Sequence, residues 1–494
     1  MKKLYTMLMI VLVLASLLAK HSDEFLIGDY SQVYYPDYLN MMQDAYFNTL
    51  RVNTENWYLT NNHISYDTML ETIDNMGFDA ILGDKSQNGP YNSSYGSHYE
   101  FEAEYKIDQG DQPSYHTNYQ WFYGIESDPD PISNLSIYPD DNWKALKCSP
   151  RANSYGYYAV KNLKVRETMV ATWVYGNEIR YLTGMMLTHE LIDTLYIKYH
   201  VKATNTGNQG ALFIAKLKIA VANRFSDQLE YDITSLLHST HPNIYNDNLI
   251  TRAQCNDSTL TQDINNFTII EYKLDLSELK THLENQGLIM KTYWGDKIFY
   301  ISPTLYYMNN GDLLIDKITM EDNLFRTLDA TNSPLLTSIN TRIADLREEN
   351  DNIVYLESRD EPLPPQFKTF KLINEKAIAN NLHMITAVNG YGRDNYSDIK
   401  YDLMNHFKIE TESRVVAPDW YLYGNQKKKY NSSTINSEHI QQLITNMCDY
   451  YESVRNDTLR FLPVVQTYGE WSVSGYWNGI MLPPDAQQRM LMYL

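Results

Sequence analysis

The stretch Asn352 to Pro362 reads Asn-Ile-Val-Tyr-Leu-Glu-Ser-Arg-Asp-Glu-Pro, and its interpretation decides the fold. The first half is apolar and rich in strand formers; the second crowds Arg359, Asp360 and Glu361 against Pro362. An apolar run that breaks abruptly into charge is the pattern of a buried parallel strand leaving its sheet. Helical periodicity flanks it on both sides, at Leu335 to Glu348 and at Thr369 to Asn380. The unit is a helix, a strand and a helix, and it recurs downstream. Strands at Leu382 to Asn389, Arg414 to Pro418 and Leu459 to Thr467 alternate with helices at Asp398 to Phe407 and Ser437 to Val454.

The same rhythm opens the chain. Phe25 to Asp29, Thr49 to Asn53 and Phe78 to Gly83 read as strands, with helices at Tyr38 to Phe47 and at Ser65 to Met76, the second capped by Gly77. From about Gln87 to Leu328 the helical period fades and alternating, aromatic-rich segments replace it. They are Tyr99 to Lys106, Tyr157 to Val165, Thr168 to Tyr175, Leu195 to Ala203, Ala211 to Ala222, Phe267 to Leu274 and Lys297 to Tyr307. Short strands separated by Gly, Asn and Asp turns predict a sandwich or jelly roll. The expected class is α/β: a (β/α) barrel of the TIM type, truncated before its eighth strand, with a large jelly-roll-like β-sandwich inserted after the third. In residue terms, 1–20 is a signal peptide, 25–86 the first barrel part, 87–328 the inserted domain and 329–494 the second barrel part, with strands four to seven and the start of the next helix.

Bulk properties narrow the class of partner. Lys2 and Lys3, the apolar run Met7 to Ala19 and the polar His21, Ser22 and Asp23 form the three-part layout of a secretory signal. That run is shorter than the roughly 20 residues of a spanning helix, so the expectation is export to the periplasm or the outside, with no membrane span left after removal. A formal charge of −20 repels nucleic acid and anionic lipid. The three cysteines, Cys148, Cys255 and Cys448, are far apart and odd in number, which suits neither a disulfide framework nor a thiolate metal site. His189-Glu190 stands without a His-Glu-x-x-His arrangement, so neither a metal nor another cofactor is expected.

In a (β/α) barrel the working residues lie just past the carboxyl ends of the strands. Those positions hold Asn53 and Trp57 after strand two, Asp84 after three, Arg359, Asp360 and Glu361 after four, and Asn389 and Tyr391 after five. Strand six contributes Asp419 and Trp420, and strand seven Gln466, Tyr468, Glu470 and Trp471. Carboxylates, amides and flat aromatic faces can hydrogen-bond hydroxyls and stack on a sugar ring. Cleaving a glycosidic bond takes one carboxylic acid to protonate the leaving oxygen and a second carboxylate on the other face, at about 5 Å in a retaining pair. Glu361 and Glu470 stand after strands that face one another across a barrel mouth.

At these residues the chain resembles the retaining (β/α)8 glycoside hydrolases of clan A. Asp360-Glu361-Pro362 is similar to the Asn-Glu-Pro-like acid/base motif after their strand four, and Tyr468-Gly469-Glu470-Trp471 to the region of their strand-seven nucleophile. Asp360 departs from the usual Asn. An Asp-Glu pair looks instead like the β-N-acetylhexosaminidases, in which the substrate's acetamido group is the nucleophile. That likeness implies that Asp360 orients the acetamide, Glu361 is the general acid and Glu470 binds substrate. The resemblance covers residues 25 to 86 and about 335 to 494, and implies an exported glycoside hydrolase acting on an oligo- or polysaccharide. The competing reading is a noncatalytic glycan-binding or surface protein that keeps the barrel without the chemistry.

Overall fold

The computed structural model describes residues 28–29, 39–40, 43–44, 48–53, 66–83, 96, 98–102, 121–124, 135–139, 144–150, 161–165, 172–175, 178–181, 193–204, 210–223, 229–241, 248–287, 297–308, 310–358, 366–385, 387–389, 407–408, 410–420, 460–461, 464–465, 468–471 and 477–481. Five short strands form a parallel sheet whose spatial order follows the chain: Gly28–Asp29, Thr49–Asn53, Asp79–Gly83, Ile353–Glu357 and His383–Ile385. A second parallel group continues the order, with Ala387–Asn389 beside Val415–Trp420 and the latter beside Arg460–Phe461 and Val464–Val465.

Local chemistry explains the individual elements. In helix Tyr66–Asn75, Met69, Leu70 and Ile73 share the buried stripe, while Asp67, Glu71 and Asp74 face water. It ends where Gly77 turns left-handed at φ +81°, letting Phe78 N donate to Ile73 O at 2.9 Å and Gly77 N to Asp74 O at 2.8 Å. The chain then enters strand Asp79–Gly83 with Ala80 and Leu82 buried. Helix Pro334–Glu349 starts with Pro334 in its first turn and Ser333 as cap, the hydroxyl accepting from Leu336 N at 3.0 Å. Asn352, buried just before strand Ile353–Glu357, donates to the carbonyls of Leu70 and Phe78 at 3.4 Å each, while its own carbonyl accepts from Ala80 N at 2.8 Å. One amide side chain thus stitches the returning chain onto the first helix and the third strand.

Between these parallel strands the chain builds two antiparallel sheets. One runs in the order Leu237–Ser239, Thr268–Asp275, Thr194–Ala203, Leu313–Asp322, Lys144–Cys148 and Leu135–Pro139, with His98–Glu102 also paired to Leu313–Asp322. The other runs Glu178–Tyr181, Thr172–Tyr175, Lys297–Tyr307, Ala211–Asn223 and Leu229–Asp232, with Leu249–Thr251 on Ala211–Asn223. Strand Thr194–Ala203 sends Leu195, Ile197, Tyr199, Val201 and Ala203 into the core, where Phe213, Ala215, Leu217 and Ile219 of the other sheet meet them. Tyr199 lies 6.0 Å from the Phe213 ring and donates its hydroxyl to Lys216 O at 3.1 Å, joining the two sheets.

The sequence reading of this region as strands alone needs correction. Helix Leu276–Asn285 follows directly on strand Thr268–Asp275, and Asp275 caps it by accepting from Ser277 N and Glu278 N. Its helical spacing of Leu276, Leu279 and Leu283 is short enough to be masked by the strands around it. Asn323–Leu328 and Arg252–Cys255 are further short helices there.

The outer face of strand Leu313–Asp322 carries charge under cover. His98 bridges Glu321, at 3.1 Å, and Glu100, at 3.0 Å. Lys198 reaches Glu321 at 2.5 Å and Lys317 reaches Glu100 at 2.7 Å. Lys368, from helix Phe367–Ala379, closes the network on Glu100, and Thr369 of the same helix donates to Gly96 O at 2.6 Å. The antiparallel sheet is thereby fastened to the helix that follows Glu357. Burial works to raise the Glu321 carboxyl, but the His98 hydrogen bond and the Lys198 charge overcome it and hold the group at about 2. Glu100 is likewise held well below the usual carboxylate range, burial being outweighed by His98, Lys368 and Lys317.

The sign of the pH effect follows. A carboxyl depressed on folding stabilises fully above its unfolded value of 4.5, and that contribution is lost as pH falls from there through about 2. Urea midpoints should therefore drop steeply between those values. Glu321→Gln should cost about 3 kcal/mol at pH 7, because it removes the charge that His98 and Lys198 share and sets an amide donor against one of them, and should flatten the acid limb. Equal slopes for variant and parent below pH 4.5 would show that the network does not set acid stability.

Candidate functional site

Sequential parallel strands bring their carboxyl ends to one edge, where (β/α) proteins concentrate their chemistry. Along that edge Asn53, Gly83, Glu357 and Ile385 stand in register on adjacent strands. Asn389 is likewise opposite Asp419 in the second parallel group, and Trp420 is opposite Val465.

The chemistry at the described part of this edge centres on a buried ion pair. Arg51 Nε donates to Glu357 Oε2, and both residues are at most 2% exposed. They sit on strands separated by Asp79–Gly83, with Arg51 two residues before the register row that contains Gly83 and Glu357. Gly83 is the reason they can meet: a Cβ there would lie 2.6 Å from Glu357 Oε2 and 3.5 Å from Arg51 Nε. Ser358, also buried, donates its backbone N–H to Ile385 O at 2.8 Å, so the chain stays anchored one residue past the strand. The next four residues are Arg359, Asp360, Glu361 and Pro362.

No protein-family model matches the chain, and no curated protein matches it significantly. Among solved structures, it aligns with the N-terminal endo-1,4-β-D-xylanase 10B of Clostridium thermocellum, its CBM22-1 and GH10 modules complexed with xylohexaose. That alignment has 9% identity, a TM-score of 0.20, and covers 73% of this chain and 61% of that one. The Glycosylation Associate Protein (Gap123) complex from Streptococcus agalactiae aligns at 7% identity and TM-score 0.17 over 69% of this chain and 90% of that one. The alignment thus spans less than two thirds of the xylanase chain. Scores this low carry neither fold nor activity across.

The sequence-derived site residues divide in two. Trp57, Asp84, Arg359, Asp360, Glu361, Tyr391 and Gln466 lie outside the described residues. Asn53, Asn389, Asp419, Trp420, Tyr468, Glu470 and Trp471 lie on strands whose backbone is described. Around Glu470, Tyr468–Trp471 pairs antiparallel with Trp477–Met481, and the register breaks between Gly469 and Trp471, at Glu470 itself.

Arg51 and Glu357 were missed as members of this edge. A strand buried on both faces is normally a continuous apolar run, so a lone Arg in Thr-Leu-Arg-Val-Asn and a Glu closing Ile-Val-Tyr-Leu-Glu were the available signals. Pairing them required the topology, since they are 306 positions apart.

Gly83→Ala should push the Glu357 carboxylate off Arg51 and cost about 3 kcal/mol, read from urea unfolding. Arg51→Met and Glu357→Met should each cost about 3–5 kcal/mol, and the double variant at least about 2 kcal/mol less than their sum. Simple additivity in that cycle would mean that the two side chains do not interact.

Proposed function

We propose that the chain is an exported carbohydrate-active protein built on a (β/α) barrel, with Glu361 as general acid in glycosidic bond cleavage. One observation carries this reading. Strand Ile353–Glu357 stands between Asp79–Gly83 and His383–Ile385 in a parallel sheet ordered as the chain is ordered, with Ser358 at its carboxyl edge. Glu361 is four residues beyond Glu357, next to Asp360 and followed by Pro362.

The chemistry assigned to the residues is conventional acid catalysis. Glu361 gives its proton to the leaving oxygen as the glycosidic bond breaks, which requires a carboxyl kept protonated near neutral pH by burial or by a neighbouring carboxylate. Asp360 or Glu470 supplies that neighbour. On an N-acetylated sugar, Asp360 orients the acetamido group for internal attack; on other sugars Glu470 takes the second carboxylate role. Asn53, Asp84, Arg359, Asn389, Asp419 and Gln466 are the polar ligands for hydroxyls. Trp57, Tyr391, Trp420, Tyr468 and Trp471 offer ring faces.

Hydrolysis of nitrophenyl glycosides, with and without N-acetyl groups, tests this directly. The parent protein should release nitrophenol, and Glu361→Gln should lower kcat/KM at least about a hundredfold, the lower range for loss of a general acid. Turnover confined to N-acetylated substrates would select Asp360 assistance over Glu470 attack. A folded protein that hydrolyses none of the panel, yet binds oligosaccharide, would overturn the enzyme reading in favour of glycan binding alone.

A further inference from the structure

The outer face of the antiparallel sheet holds a second cluster, separate from the strand edge. Along strand Leu313–Asp322, Ile315, Ile318 and Met320 face the core, so the alternation slips between Ile315 and Ile318 and turns both Asp316 and Lys317 outward. The slip is a β-bulge: the pairing with strand Thr194–Ala203 jumps from Val201 opposite Ile315 to Tyr199 opposite Ile318, leaving His200 alone opposite the two residues Asp316 and Lys317. His200 is on the face opposite to Tyr199 and Val201, and is itself buried.

A third group closes over this point. The turn before strand Thr268–Asp275 is shaped by Asp263, whose Oδ1 accepts from Asn265 N and Phe267 N at 2.9 Å each, with Asn266 left-handed at φ +59°. That leaves Oδ2 directed at His200 Nδ1, 2.8 Å away. The other ring nitrogen, Nε2, has Thr319 Oγ1 at 3.4 Å. One ligand atom from each of His200, Asp263 and Asp316 lies within 4.8 Å of the others. Asp316 is 95% removed from solvent, its 5% exposure notwithstanding its charge, and among the described residues no donor hydrogen-bonds to its carboxylate. A buried carboxylate beside a second carboxylate and an imidazole, with no hydrogen-bond donor among the described residues, is a favourable place for a cation.

We propose that His200, Asp263 and Asp316 form a binding site for one divalent transition-metal cation of the zinc type. The donor set is one nitrogen and two carboxylate oxygens, which favours Zn²⁺ over Ca²⁺ and Mg²⁺, ions that prefer oxygen alone. Metal bonds of about 2.0–2.2 Å require only small side-chain shifts from the present spacing, with the cation taking the place of the proton between His200 and Asp263. Bound there, it ties strand Thr194–Ala203, strand Leu313–Asp322 and the Asp263 turn into one unit.

Untagged full-length protein, stripped with chelator and titrated with Zn²⁺, should take up one ion per chain and gain on the order of 3 °C in thermal midpoint at saturating metal. Asp316→Asn and His200→Gln should each weaken binding by roughly tenfold or more while leaving metal-free protein folded. If either variant fails to fold, the parent protein decides alone: Co²⁺ should give visible absorption bands of a low-symmetry site, and Zn²⁺ should displace it. No stoichiometric uptake by folded parent protein would overturn the proposal, as would Zn²⁺ binding that both variants retain in full. Tighter binding of Ca²⁺ than of Zn²⁺ would overturn the assigned metal class.

Discussion

The contact between Arg51 and Glu357 across Gly83 is the constraint on which the arrangement turns. Two opposite charges buried to this degree hold together only in close contact, because separation leaves each desolvated and uncompensated. They belong to strands on either side of the long antiparallel excursion, so forming the pair fixes where the chain must re-enter the sheet. Asn352 makes the same junction with neutral groups, through Leu70, Phe78 and Ala80. Apolar burial alone would tolerate a shift of the incoming strand along its neighbour. A charge pair requiring the missing Cβ of one residue does not.

The antiparallel sheets meet this parallel frame through charge as well. The His98, Glu100 and Glu321 network takes donors from three strands and one helix, and that helix, Phe367–Ala379, follows the strand ending at Glu357. The returning strand is thus held by a buried ion pair within the sheet, and the helix that follows it by a partly buried ionic network. Partly buried networks of this kind contribute more to fixing one geometry than to net stability, since much of their attraction offsets desolvation.

What the sequence disclosed depended on the range of the determining interaction. Helix Tyr66–Asn75 and its stop at Gly77 were legible because the apolar stripe and the φ requirement are local. The strands Thr49–Asn53, Asp79–Gly83 and Ile353–Glu357 were legible as apolar runs bounded by polar corners. Helix Leu276–Asn285 was missed although its cap and spacing are also local, because a strand pattern runs straight into Asp275. At the carboxyl edge, Asn53 could be read as a strand end, whereas the Arg51 and Glu357 pair could not, since no local pattern joins them.

The same reasoning accounts for the cluster at His200. Metal motifs recognised from sequence depend on ligands spaced along one helix or one loop, where period fixes direction. Here the three groups come from two strands and a turn, so no single spacing along the chain joins them. Counting alternate residues from Leu313 puts Asp316 outward but Lys317 inward, in the apolar core, a placement that its charge forbids. That conflict between period and polarity was visible in the sequence, and a bulge is its economical resolution. Beside the bulge, Asp316 lies with His200 and Asp263, three side chains that sequence spacing alone does not bring together.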